Sequence, residues 1–173
     1  MNHLVREISA PIIIDDDGSR GDSREILRRI ARTHPQVTLL EHAVNLGKGQ
    51  ALKTAFNHFL LHADFSQKGV VSIDADGQHA VEDVVQIIQK FMQQPDAIHI
   101  GVREFKGEIP WRSKFGNFTT KWLIKFVTPL SVQDTQTGLR VVPRSFLASL
   151  LKISYQRYEF EFEMLLRAQR EGL

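Results

Sequence analysis

A chain of 173 residues is the size of one domain. Its 42% apolar and 24% charged residues are ordinary for a soluble globular protein and exclude disorder, collagen and coiled coil. A net charge of +2 is too small to indicate a nucleic-acid partner, and the lack of Cys excludes a disulfide scaffold, a thiol nucleophile and a Cys-type zinc site. No apolar run reaches the ~18 residues of a membrane span. The opening stretch MNHLVREISAP has no apolar h-region of the kind a secretory signal carries.

Residues 11–14, Pro-Ile-Ile-Ile, form a short apolar run ending in carboxylates and read as a buried parallel strand. Ile26, Leu27, Ile30 and Ala31 then recur at helical spacing, with Asp22 or Ser23 as the cap. Residues 37–40 form a second strand. Ala51, Leu52, Ala55, Phe56, Phe59 and Leu60 mark a second helix, and residues 69–73 a third strand that stops at Asp74-Ala75-Asp76-Gly77. Val84, Val85, Ile87, Ile88, Phe91 and Met92 mark a third helix, with Glu82 and Asp83 in its first turn, where the helix dipole favours them. Residues 97–102 form a fourth strand. This βαβαβαβ order predicts an α/β fold with a mostly parallel sheet flanked by helices. Beyond it, residues 111–127 read as a helix, 139–142 as a strand, 145–151 as a short helix and 160–170 as a last helix. With no repeat, low-complexity tract or linker, residues 1–173 form a single domain.

Ligands of open α/β sheets sit beyond the carboxyl ends of the strands. Two strands here end in acid clusters, Asp15-Asp16-Asp17-Gly18-Ser19 and Asp74-Ala75-Asp76-Gly77-Gln78-His79. An Asp-x-Asp at a strand end can hold a hard divalent cation that bridges to a diphosphate, or it can be a solvated turn. Between the clusters, Asn45-Leu46-Gly47-Lys48-Gly49 opens a helix, and such a turn suits a phosphate or a carboxylate. It lacks the spacing of a P-loop. The His residues show no zinc spacing, and His79 shapes the loop rather than joining the metal set. Tyr158, Phe160 and Phe162 read as packing residues. Of Glu159, Glu161 and Glu163, one points inward, and periodicity alone leaves open which.

Taken in order, the segments DDGS, NLGKGQA, DADGQH, GVR, QDTQTGLR and YEFEFEML resemble the motif series of family 2 glycosyltransferases, most closely the polyprenyl-phosphate (dolichol-phosphate mannose synthase-like) branch. The resemblance covers about residues 12–166. It implies a GT-A type nucleotide-sugar-binding domain. It places Asp16, Asp17, Lys48 and Asp74 at the nucleotide, and Asp74, Asp76 and Gln78 at a Mg2+ or Mn2+ ion. Arg103 and Arg112 match basic residues flanking the donor and acceptor phosphates. Asp134, with Gln136 and Thr137, matches the loop approaching the sugar, and Arg140 orients that loop. Asp15 departs from the family pattern, in which the residue before DDGS is apolar.

The implied reaction is inverting transfer from a nucleoside-diphosphate sugar to a polyprenyl or dolichyl phosphate, with a cation and arginines stabilising the leaving group. A lipid phosphate is already ionised at neutral pH and needs no base. A hydroxyl acceptor would need one, with Asp134 as the candidate. A nucleotidyltransferase or a non-catalytic module of the same fold are the alternatives. In residues 111–127, Trp111, Phe115, Phe118, Trp122 and Phe126 form a stripe flanked by Lys114, Lys121 and Lys125. That stripe suits either an interfacial membrane helix or a core face with a solvated edge. The expected location is cytoplasmic, peripheral at the inner face of the membrane, with no nucleic acid and with room for an oligomer. The family's opening strand, central in the sheet, has no counterpart before Pro11, where Leu4, Val5 and Ile8 have the spacing of a helix end. The expectation is a domain shortened at both ends, with little or no transferase activity of its own.

Overall fold

The computed structural model describes residues 7–101 and 138–173. Leu4, Val5, Arg103, Arg112, Asp134, Gln136, Thr137 and the aromatic stripe of residues 111–127 lie outside the described residues. In chain order the elements are β1 (Ile12–Asp16), α1 (Asp22–Thr33), β2 (Val37–Glu41), α2 (Lys48–His62), β3 (Gly69–Ser72), α3 (Val81–Gln93), β4 (His99–Ile100), β5 (Arg140–Pro143), α4 (Arg144–Leu150) and α5 (Glu159–Glu171). The α/β class expected from the sequence holds.

Local chemistry sets the boundaries. Pro11 has no N–H to give a ladder, so β1 starts at Ile12 and extends through Asp16, farther than the apolar run. The cap of α1 is Gly21 rather than Asp22 or Ser23, with no side-chain hydrogen bond. Asp22 is instead the first helical residue, where the dipole favours its charge. That helix ends at His34, held extended (φ −127°, ψ 101°) ahead of Pro35. The fourth strand is shorter than expected. Ala97 N–H closes onto the Gln94 carbonyl, so it belongs to the turn after α3, and among the described residues the strand spans His99 and Ile100, with Gly101 N–H donating to the Leu139 carbonyl (2.9 Å) just beyond it.

Among the described residues the strands form two sheets. β1 and β2 pair in parallel, Ile12 opposite Val37. β5 lies between β3 and β4 and runs antiparallel to both, so β3 and β4 point the same way. β1 and β3 are not hydrogen-bonded to each other.

A layer of helices joins the two sheets. α2 packs on both β1 and β3. Phe56 and Phe59 of α2 are buried with Phe146, Leu147, Leu150, Phe160 and Met164 of α4 and α5. Strand alternation then sorts the side chains. Ile13, Val70 and Val142 face this layer. Val71 and Val141 face α3 with Val84, Ile87 and Phe91, and Ile12 and Ile14 face α1 with Ile30. α1 covers only a narrow sheet and buries only Ile30, so Ile26, expected on the packed stripe, is 46% exposed. Tyr158 is exposed rather than packed, because it stands at the cap before α5, whereas Phe160 on the helix face is fully buried.

This distribution makes a direct prediction. Leu147→Ala should lower the unfolding free energy by about 2–5 kcal/mol through lost burial and a residual cavity. Ile26→Ala should change it by less than about 0.5 kcal/mol. Urea melts of the two variants measure both.

Candidate functional site

The acid cluster at the end of β1 folds back on itself. Asp16, with a fully buried side chain, accepts hydrogen bonds from Ser19 N–H (2.9 Å) and Arg24 Nε (3.1 Å). Arg24 Nη2 also donates to the His42 carbonyl (2.8 Å), tying α1 to the end of β2. Burial alone would raise the Asp16 pKa, but the bonds from Ser19 and Arg24 outweigh it and hold the carboxylate below its ordinary value.

Asp17 points the other way and organises the next motif. Its Oδ1 accepts from Leu46 N–H (2.7 Å) and its Oδ2 from Gly47 N–H (2.8 Å), just before α2 begins. His42 Nδ1 lies 2.8 Å from Oδ1, and since a carboxylate only accepts, that nitrogen carries the proton. His42 Nε2 contacts Thr54 Oγ1 at 3.0 Å. Burial pushes the Asp17 pKa up, and the bonds from His42, Leu46 and Gly47 more than reverse it. The anion that this turn suits is therefore supplied internally, by Asp17. The turn and the loop touch so closely that a Cβ on Gly18 (φ +74°) would lie 2.5 Å from Asn45 N.

Asp15 sits beside this network without joining it. Its two carboxylate oxygens are buried and have no hydrogen-bond partner among the described residues, and His42 Nδ1, at 3.9 Å, is too far to donate. Burial raises its pKa to about 6, with His42 opposing and Asp17 and Asp16 adding to the rise.

The second acid cluster approaches from β3. Asp74 receives Lys48 Nζ at 2.9 Å and 3.0 Å on its two oxygens. Gly138 presses against it, and a Cβ at that position would come within 2.2 Å of the Asp74 carboxylate. The segments ending in Asp74 and beginning at Gly138 can therefore lie side by side only because residue 138 lacks a side chain. Lys48 Nζ also contacts Glu161 Oε1 (3.1 Å), and the same oxygen is ion-paired with Arg140 Nη1. Arg140, expected to orient the loop ahead of it, is 1% exposed and directs its guanidinium to Glu161 in the core. Asp76 and Gln78 are exposed on the turn, where Asp76 Oδ1 accepts from Gln78 N–H (3.0 Å).

The side chains at the end of β3 suit a hard divalent cation. Asp74, Asp76 and Gln78 offer oxygen donors, and Asp76 is exposed with no ion pair among the described residues. No three His, Asp or Glu side chains gather at one point among the described residues, so other ligand positions would be left to water and substrate. A shallow depression of about 330 Å³ lined by Gln50, Lys53, Thr54, Asn57 and Leu151 contains none of these groups.

The structure thus brings Asp17, Lys48 and Asp74 together at one end of the sheets and turns Asp16 inward. Three participants were not singled out from the sequence. Arg24 and His42 carry no local pattern. Glu161 was one of three candidates for the inward carboxylate, and its burial on the same side of α5 as Met164, Leu165 and Ala168 decides between them.

Residues 10–159 match the family model described as Glycosyl transferase family 2. The chain belongs to that family. A UDP-N-acetylglucosamine--dolichyl-phosphate N-acetylglucosaminyltransferase from Methanococcus voltae is 30% identical over 192 residues, covering all of this chain and 74% of the relative. A dolichyl-phosphate beta-glucosyltransferase from Trichomonas vaginalis is 28% identical over 176 residues, 94% of this chain and 50% of the relative. A polyprenol monophosphomannose synthase from Mycolicibacterium smegmatis is 26% identical over 168 residues, 93% of this chain and 62% of the relative. These relatives lie in the polyprenyl-phosphate branch that the motif series resembles, and the α/β domain is the GT-A type fold of the family.

Within this glycosyltransferase domain Asp15 should set a pH dependence. Its folded pKa of about 6 lies above the ordinary 3.8. The folded state therefore favours the protonated form, and stability from this group is lost as pH rises through about 4 to 6. Above pH 6 the buried anion opposes folding. Asp15→Asn should raise the unfolding free energy at pH 7.5 and give a much smaller gain at pH 4.5. Denaturant melts at the two pH values check this.

Proposed function

We propose that the site in this domain serves the transfer of a sugar, with inversion, from a nucleoside-diphosphate sugar to a polyprenyl or dolichyl phosphate, with Mg2+ or Mn2+ at Asp74, Asp76 and Gln78. The observation that carries the reading is the pairing of the Lys48 ammonium with Asp74 at the carboxyl end of β3, in a family 2 chain whose relatives are named for transfer to dolichyl phosphate. A diphosphate needs positive charge close to its leaving oxygens, and Lys48 is fixed where it can supply it. Asp16 and Asp17 serve the nucleotide by holding the turn and the loop before α2 in one shape. A divalent cation, when bound, would neutralise charge developing on the departing diphosphate.

The bond changes balance without a base. An ionised oxygen of the lipid phosphate attacks the anomeric carbon, that carbon's bond to the diphosphate breaks, and the nucleoside diphosphate leaves with the electron pair. Arg103 and Arg112 are proposed to hold the donor and acceptor phosphates through their planar forks. The loop with Asp134, Gln136 and Thr137 is proposed to meet the sugar. The acceptor's lipid tail places the domain at a membrane surface, peripheral to the cytoplasmic face. No helix among the described residues is long and apolar enough to cross a membrane.

Calorimetric titration of the chain with UDP and GDP, with and without Mn2+, tests the reading. Binding should strengthen with Mn2+, and Asp76→Asn should remove most of that gain. Nucleotide binding that is absent, or indifferent to both the cation and the substitution, would overturn it.

A further inference from the structure

Glu161 occupies a place that the reading above does not use. Its carboxylate lies in the first turn of α5 with the side chain 11% exposed, and one oxygen, Oε1, faces both Lys48 Nζ and Arg140 Nη1. The contacts around it explain how a helix near the end of the chain reaches the start of α2. Gln50 N–H donates to the Gln156 carbonyl (2.9 Å), and Gly49 lies so near α5 that a Cβ on it would fall 2.5 Å from Phe160 Cβ. Arg140, 1% exposed on the middle strand of its sheet, fixes Glu161 in turn.

We infer that Glu161 is a positioning residue for Lys48, holding the ammonium at the end of β3 so that it can leave Asp74 for a diphosphate oxygen without losing its charge partner. The inference rests on the reading of this end of the sheets as a nucleoside-diphosphate site. Lysine is a point charge on a flexible four-carbon stem, and nothing in its own geometry directs it. Paired with Asp74 alone, it would be neutralised by the group it must release when a ligand arrives. Paired with both carboxylates, it keeps Glu161 while exchanging Asp74 for phosphate. Lys48 and Asp74 are each about one-quarter to one-third exposed at the side chain, so their pair is open to exchange, whereas the Glu161 and Arg140 pair is enclosed.

The sign of the effect separates positioning from simple charge. Removing a carboxylate beside an anion site makes the local potential more positive, and charge alone would tighten diphosphate binding. Loss of positioning weakens it.

The test is calorimetric titration of UDP and GDP, each with Mn2+, into wild type, Glu161→Gln, Glu161→Asp, Lys48→Met and the Lys48→Met/Glu161→Gln double variant. Glu161→Gln should weaken binding about tenfold. In the Lys48→Met background the same substitution should add less than about twofold, since its effect passes through the lysine. Glu161→Asp keeps a charge for Arg140 but shortens the reach to Lys48. It should give a smaller loss in the same direction, with a thermal midpoint near wild type, and it decides the case if the Gln variant does not fold. Binding unchanged or tightened in both Glu161 variants overturns the inference. An equal loss with and without Lys48 overturns it too, assigning Glu161 to the fold through Arg140. A wild type that binds neither nucleotide fails the reading on which the inference rests, and is distinguishable because it fails before any substitution.

Discussion

A guanidinium in the middle strand of a buried sheet must be met by a carboxylate. Arg140 is met by Glu161. That requirement orients α5, since the helix can offer Glu161 to the interior only with Phe160, Met164, Leu165 and Ala168 buried along the same side. Once α5 is in place, the same carboxylate oxygen reaches Lys48 at the start of α2, and Lys48 reaches Asp74 at the end of β3. Four groups from four separate stretches of chain form one alternating line of charge. Its enclosed end is Arg140 and its open end is Asp74. A line of this kind lets a rigid interior determine where a surface charge stands.

The two sheets meet at this end through loops rather than through a shared ladder. Asp17 satisfies the backbone N–H groups before α2, which would otherwise be left open at a helix start. Gly18 lets the β1 turn lie against Val44 and Asn45, and Gly138 lets the segment before β5 lie against Asp74. Beneath these contacts, Ile13 of β1 and Val70 of β3 pack into the same apolar cluster under α2. The helix layer carries the connection between the sheets, and the loops above it converge because that layer fixes both strand ends.

Asp15 shows the opposite balance. A buried carboxylate with no hydrogen-bond partner among the described residues, beside Asp16 and Asp17, works against folding at neutral pH, and His42 relieves it only in part. Local destabilisation of this kind concentrates where a fold holds a binding site, because groups kept ready for a ligand cannot all be satisfied without it. Asp16 and Asp17 belong to the same cluster yet are stabilised as anions, each by its own donors. Three consecutive carboxylates thus meet three different environments, because strand alternation sends Asp15 and Asp16 to opposite sides and Asp17 lies beyond the strand, in the turn.

The sequence by itself determined the α/β class, the order of the described elements to within a few residues, and the family. The apolar periods of 2 and 3.6 and the turn residues that end each run are local properties of the chain. Asp74, Lys48 and Asp17 were legible as candidate site residues because their motifs follow strand ends and precede a helix. The sequence did not show that β5 would enter between β3 and β4 against their direction, nor that Ile26 would stay exposed. It also did not show that Asp17 would spend its charge on its neighbours' amides, or which of three glutamates would face inward. Those outcomes depend on which surfaces meet. A strand's direction is set by its partners, a side chain's exposure by what covers it, and a carboxylate's role by the donors that residues tens of positions away bring within 3 Å. Only the tertiary structure supplies those distances.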